Sequence, residues 1–177
     1  MKDGKELNIE TLWETLKRYD GYINGTNFKS ALLATLNAAL FAGIIIKYIS
    51  GDFLTAKSCF LDFIVSILSL SLTISYWYVI KTIWPNLGLS GNEAKKKSTE
   101  NQCSLIFFGS VSKMSLELFK EKYQELNEES LEEDLISQVH DVATVASNKF
   151  RLLNMAGSWT FASVLITLIF IISANYF

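Results

Sequence analysis

Three stretches that contain no charged residue set the tightest limit on how this chain folds. They cover residues 30–46, 63–80 and 152–177. Each is about as long as a helix must be to cross a bilayer core of roughly 30 Å at 1.5 Å per residue. A compact soluble helical domain is the alternative for a chain of 177 residues with a net charge of −2, but its charges would be spread more evenly. The sequence therefore predicts an all-α membrane protein with three transmembrane helices.

The charge-free stretches and their flanks divide the chain into five segments. The second stretch ends in the aromatic run 76–78 and the third in a Tyr-Phe pair, as is typical of helices that meet the headgroup layer. We predict an amphipathic helix over 1–28, spans over 29–50, 58–83 and 152–175, and a small, mostly helical domain over 84–151.

The distribution of lysine and arginine predicts the orientation of the spans. Five precede the first span, two lie in the connection that follows it, nine lie from Lys81 to Arg151, and none follows the third span. Because cytoplasmic segments carry the excess of basic residues, the N-terminus and the 84–151 segment should be cytosolic and the C-terminus external. Cys59 and Cys103 would then lie on opposite sides of the bilayer, so no internal disulfide is expected.

The N-terminal segment has the spacing of an amphipathic helix. Leu12, Leu16, Tyr19 and Ile23 recur at intervals of three or four residues, and residues 11–14 fit a capping box. Such a stripe either lies along the membrane surface or packs on the other cytosolic segment.

A short apolar block, "SLIFFGSV" at 104–111, lies within the polar 84–151 segment. Its alternation predicts a strand or an extended plug, followed by a helix from Leu116 that breaks at Asn127. Ser130 is the predicted N-cap of the next helix, with Glu133 in the reciprocal position of a capping box.

That last helix is predicted to continue without interruption into the third span. No proline or clear glycine stop separates its cytosolic part from 152–175, so one rod would run from Leu131 to beyond Ile171. A force applied near its cytosolic end would be delivered directly into the bilayer. The helix face that would carry this coupling consists of Leu131, Leu135, Val139, Val142, Ala146 and Phe150.

Catalytic side chains are scarce, and the sequence predicts that the protein is not an enzyme. The single histidine, His140, is interpreted as a surface or interface residue, because a metal site or a catalytic triad needs more ligands or partners. No glycine-rich phosphate cradle is recognised, and no cofactor is expected. A membrane-embedded enzyme is disfavoured because no polar cluster is expected at the midplane of a span. Asn37 and the hydroxyls of the spans either line a polar path or only stabilise packing.

Four stretches in a fixed order resemble a known family. They are "ETLKRYDGYINGTNFKSALLATLNAALFAG", "WPNL", "SLIFFGSVS" and "EEDLISQVHDVATVASNKFRLLNMA". Their most specific parts are Asn27 to Lys29, Phe107 to Gly109 and Ala146 to Arg151. Together they resemble the transmembrane effector family of bacterial Pycsar anti-phage defence, with Trp84 standing where a tyrosine is expected.

This resemblance implies a multi-pass protein of the bacterial inner membrane that acts as an effector of abortive infection. Its cytosolic region would recognise a cyclic nucleotide, cCMP or cUMP, made by a partner cyclase upon infection. A homo-oligomer would then disrupt the lipid bilayer. A cyclic oligonucleotide is the alternative ligand, and no nucleic acid polymer is expected as a partner.

The resemblance also implies a set of ligand-binding residues: Phe107, Phe108, Gly109, Lys113, Lys149 and Arg151. The two phenylalanine rings either stack on the base or belong to the core of the cytosolic domain. Lys149 and Arg151 either bind the cyclic phosphate or anchor the third span at the interface. Lys113 and the Gly109 backbone would assist in binding the phosphate.

A second class of function fits the same spans. In a structural or scaffolding membrane subunit, the acidic 125–141 surface would dock a soluble partner. Such a subunit would co-purify with that partner and would not respond to nucleotides. A nucleotide cyclase encoded beside this chain would favour the effector instead.

Overall fold

The described chain is helical. A computed structural model describes residues 4–49, 59–84 and 104–176. The 50–58 connection and residues 85–103, which include Cys103, lie outside the described residues. Those that are described form five helices and no strand, which confirms the all-α class. The helices are α1 (Gly4–Ile49), α2 (Cys59–Ile83), α3 (Phe108–Val111), α4 (Leu116–Gln124) and α5 (Glu128–Tyr176).

Three of the helices, α1, α2 and α5, are long and apolar enough to cross a membrane. Much of their surface is apolar and exposed, and residues such as Leu32, Leu70 and Phe161 are each more than half exposed. A surface of this kind suits lipid, because a helix satisfies its own backbone groups and its apolar side chains face the bilayer at little cost. The three-span fold is therefore confirmed, and the chain is a membrane protein.

Helix α1 is a single helix that begins well before the predicted capping box at 11–14. The Thr11 hydroxyl donates to the Leu7 carbonyl oxygen at 2.8 Å, so Thr11 lies inside the helix rather than at its start. The capping-box prediction is therefore wrong. Residues 4–49 contain no proline, and an added Cβ would meet open space at Gly21, Gly25 and Gly43. Each interior glycine costs about 1 kcal/mol relative to alanine, which a long packed helix tolerates.

Helix α5 confirms that the last helix continues into the third span, but it starts earlier than predicted. The Asn127 Oδ1 accepts from the Ser130 N–H at 2.9 Å, and the Ser130 Oγ accepts from the Asn127 N–H at 3.2 Å. This reciprocal pair is a capping box in which Ser130 takes the second position. The prediction that Ser130 is the N-cap is therefore wrong by three residues. Asn127 is the N-cap, because its side-chain oxygen accepts from the N–H of Ser130.

The chain divides into two compact units, and α1 and α5 each supply residues to both. We call residues 1–23 and 85–147 the charged unit; it contains α3 and α4. We call residues 24–84 and 148–177 the three-helix unit; it contains α2. In the charged unit, Asn8 of α1 donates from Nδ2 to the Glu132 Oε1 of α5 at 3.3 Å, so the N-terminal part of α1 packs beside α5.

Candidate functional site

The segment 104–112 forms a tight turn, which we call the aromatic turn. The Ser104 Oγ accepts from the N–H groups of Ile106 and Phe107, at 3.2 and 2.9 Å. The Phe107 carbonyl oxygen then accepts from the N–H groups of Ser110 and Val111, at 3.0 and 3.1 Å, which closes the single turn α3. The predicted strand or extended plug is therefore wrong, because local bonds satisfy backbone groups that a strand would pair with a neighbour.

Helix α5 holds the aromatic turn through two side chains that lie one helical turn apart. The Leu105 N–H donates to the Asp134 Oδ2 at 3.0 Å, and the Gln138 Nε2 donates to the Ser104 Oγ at 3.3 Å. Sequence reasoning missed both α5 side chains as partners of the turn. Their bonds join residues 29 and 34 positions apart, which no local pattern reveals. The aromatic turn is therefore attached directly to the N-terminal half of α5.

The structure brings Phe107, Phe108 and Gly109 together in one cluster. The two ring centroids lie 5.0 Å apart and the ring planes are inclined at 56°, a favourable geometry for an aromatic pair. Phe107 is half-buried, whereas Phe108 is 64% exposed. A Cβ at Gly109 would lie 2.5 Å from the Phe107 Cε1, so the Phe107 ring occupies space that only glycine leaves free.

The Gly109→Ala substitution should loosen the aromatic turn. The Phe107 ring must leave its rotamer to admit the new methyl group, at a cost of about 1 kcal/mol. Hydrogen exchange of the amides in 104–112 should become about fivefold faster. Gly21→Ala is the control, because an added Cβ there meets nothing within 4 Å. Unchanged exchange in the Gly109 variant would show that the ring does not depend on glycine.

The remaining predicted ligand-binding residues belong to different units of the chain. Lys113 is exposed in the charged unit, directly after the aromatic turn. Lys149 and Arg151 belong to the three-helix unit. On the predicted coupling face, Leu135 and Ala146 are buried, Leu131, Val139 and Val142 are half-buried, and Phe150 is exposed.

Lys149 makes contacts that were not expected from the sequence. Its Nζ donates to the Asn27 Oδ1 at 3.0 Å and to the backbone oxygen of Thr82, and the residue is only 8% exposed. Thr82 is in the last turn of α2, where the carbonyl oxygens have no N–H donor within the helix. We call this arrangement the lysine cap. It joins α1, α2 and α5 within the three-helix unit.

Polar side chains also meet further along the three-helix unit. The Asn37 Nδ2 donates to the Ser75 Oγ at 2.9 Å, and the Ser75 Oγ lies 2.7 Å from the Thr160 Oγ1. The Ser71 and Ser163 hydroxyls are 2.8 Å apart. Residues far apart in sequence thus converge from all three helices into a polar cluster, which the sequence did not predict. The cluster consists of one amide and four hydroxyls.

These features define a class of protein: a three-span helical membrane protein with a small charged unit that presents an exposed phenylalanine on a turn bound to its last helix. Among residues 4–49, 59–84 and 104–176, no three His, Cys, Asp or Glu side chains cluster as metal ligands do. The His140 Nδ1 lies 3.6 Å from the Asp141 Oδ1, and both side chains are well exposed.

Comparison with known proteins identifies the family. The Pycsar effector protein domain matches residues 11–174. The chain is 29% identical over 172 residues to the Pycsar effector protein EcPycTM of Escherichia coli, covering 92% of this chain and 89% of the relative. It is 34% identical over 74 residues to the Pycsar effector protein GmPycTM of Gulbenkiania mobilis, covering 42% of this chain and 36% of the relative. No solved structure matches significantly. The chain belongs to the Pycsar effector family, whose members are effectors of anti-phage defence.

Proposed function

We propose that this protein is an inner-membrane effector that binds a cyclic nucleotide and then disrupts the bacterial membrane, which stops growth of the infected cell. The observation that carries the proposal is the continuity of α5, which supplies residues both to the unit with the aromatic turn and to the unit with the spans. A ligand that binds the turn therefore acts on the same helix that crosses the bilayer. The ligand is a cyclic pyrimidine monophosphate, cCMP or cUMP, supplied by a partner cyclase.

The exposed Phe108 ring provides a surface on which a base stacks. Base stacking on an aromatic side chain contributes about 1–3 kcal/mol, and the half-buried Phe107 ring supports Phe108 from one side. The exposed Lys113 ammonium is close in sequence and supplies the positive charge that a cyclic phosphate needs. We assign Lys149 to the lysine cap and Arg151 to the membrane surface, because both belong to the three-helix unit.

The contacts of the aromatic turn give ligand binding a route to α5. Asp134 and Gln138 hold Leu105 and Ser104, respectively, so a ligand that reorganises the turn changes bonds made by α5 itself. A ligand shifts an equilibrium only by its difference in affinity for two states. These two bonds are contacts that differ between a turn with ligand and a turn without it.

The membrane arrangement follows the charge distribution. The charged unit lies in the cytoplasm, because residues 1–23 and 85–147 carry ten of the sixteen basic residues. Three spans in one chain are too few to enclose a water path, so several copies assemble in the active state. The assembled spans then permeabilise the inner membrane.

The ligand-binding proposal is tested with purified protein in detergent and a panel of cyclic mono- and oligonucleotides. Phe108→Ala should weaken binding of cCMP or cUMP by about 5- to 150-fold, the equivalent of about 1–3 kcal/mol. Tyr123→Ala is the matched control, since Tyr123 is an aromatic residue of the same unit with 63% exposure. Titration calorimetry measures each affinity.

Three results would contradict this assignment. Equal loss of affinity in both variants would remove the specific role of Phe108. Binding of cyclic oligonucleotides alone would replace the ligand class. Failure of every nucleotide to bind, together with co-purification of a soluble protein on the exposed acidic residues near 125–133, would favour the scaffolding function instead.

A further inference from the structure

Most buried polar side chains lie toward one end of the three-helix unit and most buried apolar side chains toward the other, although Val79 and Ala156 are also buried among the polar groups. On α1, Asn37 precedes Ile44; on α5, Ser163 is the last fully buried polar residue described, and Phe170 follows it. Helix α2 runs in the opposite direction: Ile64 and Leu68 precede Ser71 and Ser75, and the buried Leu72 lies between the two serines. We call the buried residues Asn37, Ser71, Ser75, Lys149, Thr160 and Ser163 the polar column. We call Ile44, Ile64, Leu68, Leu72 and Phe170 the apolar plug.

The polar column is long enough to cover a large part of the thickness of a bilayer core. From Lys149 to Ser163 it covers about 21 Å of α5 at 1.5 Å per residue, and the apolar plug continues from there. The outer surface of the same helices is apolar, as at the exposed residues Leu36, Leu70 and Phe161. Polar groups inside a membrane bundle are expensive and commonly mark paths for ions or water.

Asn37 shows that the column is not fully satisfied by its own groups. The residue is 2% exposed, and its Nδ2 donates to Ser75, but no donor in the described part of the chain reaches its Oδ1. A buried acceptor without a donor is costly. Water that enters the column would donate to this oxygen, so hydration gains a hydrogen bond that the closed packing lacks.

We propose that the polar column is the closed form of a water-filled path and that the apolar plug is its gate. When several copies assemble and their helices separate, the column hydroxyls and the Asn37 amide line the path. Withdrawal of the plug then lets water through, since an apolar constriction blocks conduction by dewetting. This inference rests on the proposed membrane-disrupting function and assigns the residues that carry the leak.

The first test removes polarity from the column without changing its shape. Ser71→Ala combined with Ser163→Ala deletes both partners of one bond, so no unpaired hydroxyl remains. In liposomes of phosphatidylethanolamine and phosphatidylglycerol, dye release induced by cCMP or cUMP should fall about tenfold, because the path is more easily dewetted. Nucleotide affinity should not change. Thr73→Ala is the control, since this exposed hydroxyl of α2 donates to the Ser69 carbonyl oxygen of its own helix.

The second test makes the apolar plug polar. Leu68 is fully buried in the plug, and Leu68→Ser should raise dye release without any nucleotide by about tenfold, because the gate holds water more easily. Leu70→Ser, on the exposed surface of the same helix, should leave basal release unchanged. Circular dichroism confirms that each variant keeps its helices.

The outcomes separate this inference from the proposed function. If the unmodified protein releases dye with nucleotide while the serine-to-alanine pair and Leu68→Ser both behave like it, the column only stabilises packing and the inference is wrong. If the unmodified protein never responds to nucleotide but Leu68→Ser leaks, the path stands and the nucleotide trigger is wrong. The double variant with Ser71→Ala and Ser163→Ala nearly conserves side-chain volume. Its dye release therefore tests the role of the polar column even if Leu68→Ser fails to fold.

Discussion

Replacing Val142 with proline should abolish nucleotide-induced membrane leakage while leaving nucleotide binding nearly unchanged. Val142 lies within α5, in the part that belongs to the charged unit and follows Asp134 and Gln138. Proline removes one helical hydrogen bond and clashes with the preceding turn, at a cost of about 3 kcal/mol. The helix would kink between the aromatic turn and the span. Titration calorimetry measures the binding, and dye release from liposomes measures the leakage.

A second proline variant separates a broken helix from the mere presence of proline. Glu128 is the first residue of α5, after the Asn127 cap, and proline is well tolerated at that position. Glu128→Pro should therefore keep both binding and leakage. Full leakage in the Val142 variant would show that α5 does not transmit the signal as a continuous helix.

The lysine cap gives the second large effect. Lys149→Met keeps the aliphatic stem but leaves the Thr82 carbonyl oxygen and the Asn27 Oδ1 without the ammonium donor. Because a lost bond to a charged donor leaves buried acceptors unpaired, the free energy of unfolding should fall by about 2 kcal/mol. Nucleotide affinity should stay the same. Thermal unfolding in detergent, followed by circular dichroism, measures the change in stability.

Arg151→Met is the matched control for the lysine cap, because it removes an exposed cation two residues further along α5. Its stability should be nearly that of the unmodified protein. The opposite pattern, with reduced nucleotide affinity and unchanged stability in the Lys149 variant, would instead support Lys149 as the cation that binds the cyclic phosphate.

The long helices and their continuity could be predicted from the sequence because they depend on local features. A run of residues without charge, proline or a glycine stop is sufficient to predict that α5 continues into its span. Helix starts were harder to place. Asn127 and Ser130 both have capping side chains, and only the observed bonds show which of them caps α5.

The aromatic turn and the polar column could not be predicted, because both depend on contacts between distant segments. Four apolar residues in a row, 105–108, are too few to distinguish a strand from a turn. The turn is fixed by Asp134 and Gln138 of α5. Asn37 was recognised as a polar residue in a span, but its contact with Ser75 depends on the register between α1 and α2, which the sequence does not specify.

The central claim is that a cyclic pyrimidine monophosphate, bound by the charged unit, permeabilises the membrane through the helices of this chain. Its most direct test is dye release from liposomes that contain only the purified protein and lipid, measured as cCMP or cUMP is added. We expect release that rises with nucleotide concentration and levels off at the concentration at which calorimetry shows the binding sites to be filled. Binding that saturates without any release, or release that no nucleotide alters, would contradict the claim.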